Sequence, residues 1–207
     1  MAPMLSVHGS DHVKPVFDLA VPSSFTNQMM KLPSIEQAIS KPWFFGHLPS
    51  SVHVTWEPDC LGSSRLVFKG TCRFLIASSV ALFKSLDEAT QKKVDENPQG
   101  KALVVEAIKN VLRNCVTTEL AAALFSKGVA VFHGDVHEKQ LIIILAGYLV
   151  CITPADTNSV GGLRRSFLLK APKTLPEVEF LRDLLPSQPL LSSAVELLSL
   201  GVVRPPA

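Results

Sequence analysis

The sequence has no strongly basic segment and little net charge of either sign. Its 207 residues carry 20 Lys and Arg against 18 Asp and Glu, which gives a formal net charge of +2 at pH 7. A protein that binds DNA or RNA on its own presents clustered positive charge to the phosphates. The absence of such a cluster argues against autonomous nucleic-acid binding.

Long hydrophobic runs are also missing. The longest uninterrupted apolar run, residues 141–152, has twelve residues, whereas a helix needs about 20 residues to cross a bilayer. His8, Asp11 and His12 stand near the N-terminus, and no basic start precedes a hydrophobic block there. The sequence therefore predicts neither a membrane span nor a secretory signal, and we expect an intracellular protein.

Paired cysteines, nucleotide-binding motifs and the serine-hydrolase nucleophile motif are absent from the sequence. No GxGxxG, P-loop or GxSxG motif occurs. The cysteines have no CxxC spacing and stand among apolar neighbours, which is typical of reduced cysteines in a core. They are Cys60, Cys72, Cys115 and Cys151. We therefore predict no cofactor and no disulfide framework.

The sequence also has few residues with the spacing of metal ligands. His133, Asp135 and His137 alternate along one predicted strand and so point to one face, and such a trio can bind zinc or iron. Glu138 and Lys139 follow directly, which is typical of a solvated strand end that enters a turn. We favour the solvated strand end and predict no metal site.

What the sequence does contain is an excess of apolar residues. Hydrophobic residues make up 47% of the chain, and charged residues make up 18%, where about 25% is typical of a soluble domain. The chain therefore holds more apolar side chains than its own core requires. This excess suggests that another surface covers some of them.

Alternation and helical spacing divide the first half of the chain into predicted elements. Residues 1–15 have no periodicity and are predicted to be a disordered lead. Strands are predicted at residues 51–56 and 65–69, joined in a hairpin. Helices are predicted at residues 71–86 and 101–113, where apolar residues recur every three or four positions.

The second half of the chain is predicted to be an antiparallel meander. Its strands are residues 129–136, 140–152 and 163–170, with residues 153–162 as a hairpin loop. A short strand or turn at residues 178–181 completes it, and residues 186–207 form a tail with a short amphipathic helix. The order of elements predicts an α+β fold with helices packed on one face of a curved antiparallel sheet.

The run at residues 141–152 is unusual for a strand in such a sheet, because it carries no charge on either face. Either the chain's own tail covers its second face or another protein chain does, and we favour the second. Alternate residues of a strand share a face, so the contact set has one of two parities. The favoured contact residues are Leu141, Ile143 and Leu145, joined at the rim by Arg164 or Arg165, which lie on opposite sides of their strand.

Two parts of the chain resemble the nuclear transport factor 2-like fold. The aliphatic strand at residues 140–152, its polar loop and the segment 162–172 (Gly-Leu-Arg-Arg-Ser-Phe-Leu-Leu-Lys-Ala-Pro) are similar to the last strand pair of that fold. Residues 52–56, followed by 65–70 and a helix, are similar to its first hairpin and helix. The resemblance implies a bent antiparallel sheet that forms a cone, with helices on its concave face.

The resemblance also sets the predicted domain organisation. It covers residues 16–185 as a single domain and leaves an insertion between about residues 71 and 126. Within the superfamily, the chain resembles the small subunit of the mRNA export receptor heterodimer. The interface Asp of that family would correspond to Asp183, although the Arg that follows it in the family is missing here.

This second resemblance implies a function. It implies a catalytically empty subunit that binds a larger mRNA export receptor subunit through its sheet face and supports export of mRNA. It further implies contact with Phe-Gly nucleoporins, RNA contact only within the complex, and a location in the nucleus and at the nuclear pore with shuttling to the cytoplasm. The aromatic cluster at residues 43–46 is either a core anchor or a patch for an aromatic peptide.

Enzyme activity is the alternative function. Other members of the fold are isomerases and dehydratases that use a Tyr, His or Asp inside the cone for acid-base chemistry. The only tyrosine here is Tyr148, and the other candidate pocket groups are His53, Asp59 and His133. These residues lie on segments that need not converge, so we favour the protein-binding function.

Overall fold

The computed structural model describes residues 19–20, 42–48, 51–57, 60–115, 118–155, 158–169 and 173–200. These residues form nine strands and six α-helices. The strands are β1 (Leu19–Ala20), β2 (Pro42–His47), β3 (His53–Trp56), β4 (Gly62–Lys69), β5 (Cys72–Ser78), β6 (Val131–Val136), β7 (Leu141–Ile144), β8 (Tyr148–Pro154) and β9 (Val160–Phe167). The helices are α1 (Ser79–Ser85), α2 (Glu88–Lys92), α3 (Pro98–Arg113), α4 (Thr118–Ser126), α5 (Thr174–Leu184) and α6 (Pro189–Leu200). The predicted disordered lead lies outside the described residues.

The strands form two antiparallel sheets. The first sheet has the order β1-β2-β9-β4-β7, and the second has the order β3-β8-β5-β6. The predicted α+β class is confirmed, but the described strands do not form a single bent sheet. Each sheet takes its central strand, β9 or β8, from the C-terminal half of the chain.

The second sheet lies between the first sheet and the helices. On one face of β8, Val150 and Ile152 pack against Phe45 and Val67 of the first sheet. On its other face, Leu149 and Cys151 belong to a cluster that includes buried residues of α1, α3, α5 and α6. The molecule therefore has three layers: the first sheet, the second sheet and a layer of helices.

The predicted strand at residues 140–152 is in fact two strands in different sheets. β7 ends at Ile144, and a turn containing Gly147 with φ +80° leads into β8. Both faces of β8 are covered by this chain, one by the first sheet and one by helices. The missing alternation in β8 thus comes from its middle position, and the prediction that another chain covers it is wrong. The prediction that another chain covers one face of this segment therefore remains only for β7.

The predicted hairpins do not form. β3 pairs with β8, while β4 pairs with β7 and β9, so residues 51–56 and 65–69 lie in different sheets. β8 lies in the second sheet and β9 in the first sheet, so residues 153–162 are not a hairpin loop between paired strands. Alternation shows which faces of a strand are buried, but it does not identify the neighbouring strand. The meander was predicted on the assumption that strands consecutive in sequence pair with each other. The strand order shows that the predicted strands do not pair in this way.

The predicted helix at residues 71–86 is half strand. Residues 72–78 form β5, and α1 begins only at Ser79. Phe74 lies between the sheets, and Leu75 lies on the helix side, so both faces of β5 are apolar. A strand that is apolar on both faces also has apolar residues three and four positions apart, so its sequence pattern matches that of a helix. Ser78 sets the change from strand to helix, because its hydroxyl accepts a hydrogen bond of 3.0 Å from the Ala81 amide.

In the helical layer, the structure confirms one predicted helix and corrects two other predictions. α3 includes the predicted residues 101–113 and buries Val104, Ile108 and Leu112 along one face. The short strand or turn predicted at residues 178–181 is part of α5. α6 is longer than the predicted amphipathic helix, and its buried face packs into the same core, so residues 189–200 are not a tail. Within the described ranges, none of the helices combines the length and apolar character that crossing a bilayer requires.

Candidate protein-interaction face

The outer face of the first sheet carries an apolar row across four strands. The strand register aligns Leu141 with Leu66, Leu66 with Leu163, and Leu163 with Phe44. Leu141 is 57% exposed and Phe44 is 42% exposed, while the two middle leucines are half-buried. These four residues, here called the outer row, form a continuous apolar surface that faces away from the second sheet.

A second row lies beside the outer row on the same face. It runs from Ile143 through Ser64 and Arg165 to Pro42. Ile143 is 60% exposed and Arg165 is also exposed. The face therefore combines exposed aliphatic side chains with a cationic residue.

β7 has a clear inner and outer side, which decides the parity of the predicted contact set. Ile144 is only 1% exposed and packs between the two sheets, with Ile142 beside the same cluster. Leu141 and Ile143 have the opposite parity and point outward. Leu145 follows the strand and is half-buried in the turn. The structure thus brings Leu141, Ile143 and Arg165 to one surface, where contact with a partner stays a prediction.

Arg164 does not lie at the rim of this surface, contrary to the prediction. It alternates with Arg165 along β9, faces the second sheet and is 1% exposed. Its Nη1 atom lies 3.6 Å from Oε2 of Glu57. Arg65, its neighbour on β4, donates two hydrogen bonds of 3.0 and 2.9 Å to the same carboxylate. Glu57, Arg65 and Arg164 form a buried ionic cluster between the sheets.

Two histidines stand near the buried ionic cluster. The ring centroids of His47 and His53 lie 5.9 Å apart. Burial, followed by the positive charge of Arg65, lowers the pKa of His47 to about 3. Burial also lowers the pKa of His53, with Arg65 as the next cause. His47 is therefore neutral at physiological pH, and the carboxylate of Glu57 provides negative charge at the cluster.

Asp183 is separated from the predicted contact residues. It lies on α5 in the helical layer, so the second sheet stands between it and the outer face of β7. Its carboxylate pairs with Arg182 at 2.9 Å, and its backbone oxygen accepts a hydrogen bond from Lys101 Nζ at 2.6 Å. The resemblance placed Asp183 in the interface, and its position on α5 removes it from the candidate face.

The aromatic cluster at residues 43–46 is divided by strand alternation. Phe45 is buried between the sheets, whereas Phe44 belongs to the outer row. Trp43 faces inward, with its ring 5.9 Å from the Arg164 guanidinium carbon. The cluster therefore supplies a core anchor and one exposed contact residue.

The candidate catalytic and metal residues are dispersed. Tyr148 lies beside Glu177 in a cavity that neither His53 nor His133 lines, and Asp59 lies outside the described residues. Asp135 accepts two hydrogen bonds from Arg73, of 2.8 and 3.0 Å. The described part of the chain holds no group of three His, Cys, Asp or Glu side chains placed to bind a metal ion.

Glu57 and Glu177 are the notable groups that sequence reasoning missed. Glu57 continues the alternation of β3 from His53 through Thr55, which places it on the inner face, but nothing in the sequence identifies its arginine partners. Glu177 directly precedes residues 178–181, which were predicted as a short strand or turn and are part of α5. Comparison of the sequence with models of known protein families and with curated proteins gives no match.

Proposed function

We propose that this chain is a non-catalytic subunit that binds a larger protein through the outer face of its first sheet. The observation that carries the proposal is the outer row, with Ile143 and Arg165 beside it. Each aliphatic side chain that moves from water into an interface contributes about 1.5–3 kcal/mol. The exposed residues of this face therefore contribute to association, against the free-energy cost of bringing two chains together.

The residues of this face indicate which chemical groups the partner's surface must present. Leu141 and Ile143 require an apolar patch on the partner, and exposed Arg165 favours a carboxylate at the edge of that patch. The resemblance described above implies that the partner is the larger subunit of an mRNA export receptor, and that the complex acts at the nuclear pore with Phe-Gly nucleoporins. The nuclear transport factor 2-like assignment and the nuclear location belong to this proposal.

Substitutions of opposite parity in β7 test the proposed face. The chain is co-expressed with a larger mRNA export receptor subunit, and the complex is measured by affinity capture and size-exclusion chromatography. Ile143→Asp should leave the fold intact and abolish capture, because the new charge lies on the outer face. Ile144→Asp should unfold the chain, because its side chain is buried between the sheets.

A matched control separates this face from general surface hydrophobicity. Leu103 on α3 is 55% exposed but lies in the helical layer. Leu103→Asp should bind as wild type does. Capture of Ile143→Asp at the wild-type level would contradict the proposed face. Failure of the wild-type chain to bind the larger export receptor subunit would contradict the identity of the partner.

A further inference from the structure

A cavity of about 320 Å³ opens where β5 meets α1, beside the start of α5. Val80, Phe132 and Pro176 give it apolar walls, while Ser78 and Tyr148 contribute hydroxyl groups. Its volume is at the lower end of the range of small-molecule sites, about 300–1,000 Å³. None of its lining residues belongs to the first sheet, so the cavity is separate from the outer face.

A carboxyl group lines this cavity and is almost completely removed from water. Glu177 is only 6% exposed. Its Oε1 accepts a hydrogen bond from the Ser78 hydroxyl, and its Oε2 accepts one of 3.2 Å from the Val80 amide. Gly147 packs so closely against Glu177 that an added Cβ would collide with the Cβ atom and the backbone of Glu177. The carboxyl group is therefore held in one position.

Glu177 has hydrogen-bond donors but no cation in direct contact with its carboxyl group. No ion pair involves it in the part of the chain that the structure describes. Burial raises its pKa, and the hydrogen bonds from Ser78 and the backbone, together with the more distant positive charge of Lys84, only partly oppose that effect. A buried carboxyl group with no cation in contact, held at a cavity wall, is the arrangement that an ammonium group of a ligand would complete.

A second charge of opposite sign lies at the same cavity. Lys173 lines it but is exposed to solvent, so its ammonium group belongs to the rim rather than to the buried part. A buried negative group and an exposed positive group together match a molecule that carries an ammonium group at one end and a carboxylate nearby. Phe132, which is exposed, offers an aromatic wall for an apolar body.

We propose that this cavity binds a small zwitterion of the amino-acid type, with its ammonium group on Glu177 and its carboxylate on Lys173. The apolar part of the ligand lies against Val80, Phe132 and Pro176. The Ser78 hydroxyl and the Val80 amide already orient the Glu177 carboxylate, so binding needs little rearrangement. The proposal concerns binding only and does not depend on the protein-interaction face.

Three related probes test which charges the cavity recognises. L-phenylalanine carries both charges, 2-phenylethylamine only the ammonium group, and 3-phenylpropanoate only the carboxylate. Isothermal titration calorimetry on the full chain should show binding of one or more of the twenty standard amino acids. For the amino acid L-phenylalanine, affinity should be at least tenfold higher than for 2-phenylethylamine, and 3-phenylpropanoate should not bind. No binding by any of the twenty at millimolar concentration would overturn the proposal.

Substitutions then assign the charges. Glu177→Gln keeps the side-chain shape and should lower amino-acid affinity at least tenfold. Lys173→Gln should lower the affinity for the amino acid but not for the amine. Phe132→Ala removes an exposed wall residue without disturbing the core, and Phe125→Ala, an exposed residue on α4, is its matched control. A Glu177→Gln variant that folds and binds as wild type does would show that Glu177 has only a structural role.

Discussion

At the scale of single residues, the groups with the largest electrostatic effect lie between the sheets. Glu57 is contacted by the guanidinium groups of Arg65 and Arg164, and all three side chains are nearly completely buried. Taking these charges out of water is costly, so the carboxylate is needed to keep two arginines in this layer. The buried ionic cluster therefore fixes the position of β4 and β9 relative to the end of β3.

Glu57→Gln should destabilise the protein strongly. The change removes the negative charge that both arginines contact, and breaking a buried pair in this way costs about 3–5 kcal/mol. The free energy of unfolding is measured in urea. Glu88→Ala is the control, because its pair with Lys92 is exposed and 3.9 Å long, and its loss should cost less than about 0.5 kcal/mol. Equal effects of the two changes would contradict the role of Glu57.

His47 should make stability depend on pH below neutrality. Its pKa is about 3 in the folded chain against 6.5 in the unfolded chain, so the unfolded chain alone binds the proton between these values. Stability from this group is present above pH 6.5 and is lost as the pH falls, by about 1.4 kcal/mol per unit.

Between pH 7 and pH 5, wild type should therefore lose about 2 kcal/mol more stability than His47→Gln does. Urea unfolding at both pH values measures this difference. His133→Gln makes the same substitution at an exposed histidine and serves as the control. Parallel pH curves for wild type and His47→Gln would show that His47 does not stay neutral in the folded chain.

Residue chemistry in the sequence predicted some of these positions and not others. All four cysteines are free and buried, as their apolar neighbours indicated. Arg164 and Arg165 were predicted to point to opposite faces, but charge alone gave no reason to bury either one. The burial of Arg164 depends on Glu57, which is more than a hundred positions away in the sequence. Long-range pairing of this kind leaves no local signal.

At the scale of elements, close contact between strands depends on Gly162 in β9. It pairs with Phe45 on β2 and with Val67 on β4. A Cβ at this position would lie 2.7 Å from the ring of Phe45 and would overlap the backbone oxygen of Leu66. At Gly161 the nearest atom to an added Cβ is 3.7 Å away, so adjacent glycines have different packing.

Gly162→Ala should destabilise the protein by about 3 kcal/mol or more, because neither a strand backbone nor a buried ring can move away without loss of packing. Gly161→Ala should stay within about 1 kcal/mol of wild type. Thermal unfolding followed by circular dichroism measures both variants. A similar fall in Tm for the two would indicate that loss of glycine flexibility, rather than the collision, determines the effect.

Elements with one buried face were predicted better than elements with two. α3 has a single buried stripe, Val104, Ile108 and Leu112, and its position was predicted correctly. β5 and β8 are apolar on both faces, and the first was predicted as a helix while the second was merged with β7. Periodicity carries information only when one side of an element faces water.

At the scale of the whole molecule, α6 closes the helical layer rather than extending from it. Leu191, Ala194 and Leu198 are buried in the core that also contains residues of β8, α3 and α5. The predicted domain end at residue 185 was the end of the segment covered by the resemblance, and Pro186 and Pro189 follow it. Prolines mark the turn between two packed helices here, not the boundary of the fold.

Leu191→Ala should therefore cost about 2–5 kcal/mol, as expected for a leucine in a core. Leu197 lies on the same helix but is 39% exposed, and Leu197→Ala should stay within about 0.5 kcal/mol of wild type. Urea unfolding measures both changes. A negligible effect of Leu191→Ala would mean that α6 contributes little to stability, as a tail would.

The order of strands has a consequence for how the chain is made. β8 joins β3 to β5, and β9 joins β2 to β4, so both joining strands come after the strands they connect. During synthesis, β2 to β5 leave the ribosome before β8 and β9 have been translated. Pairing over such distances along the chain is slow. We therefore expect folding to wait until most of the chain has been translated, with the apolar strands needing chaperone protection in that interval.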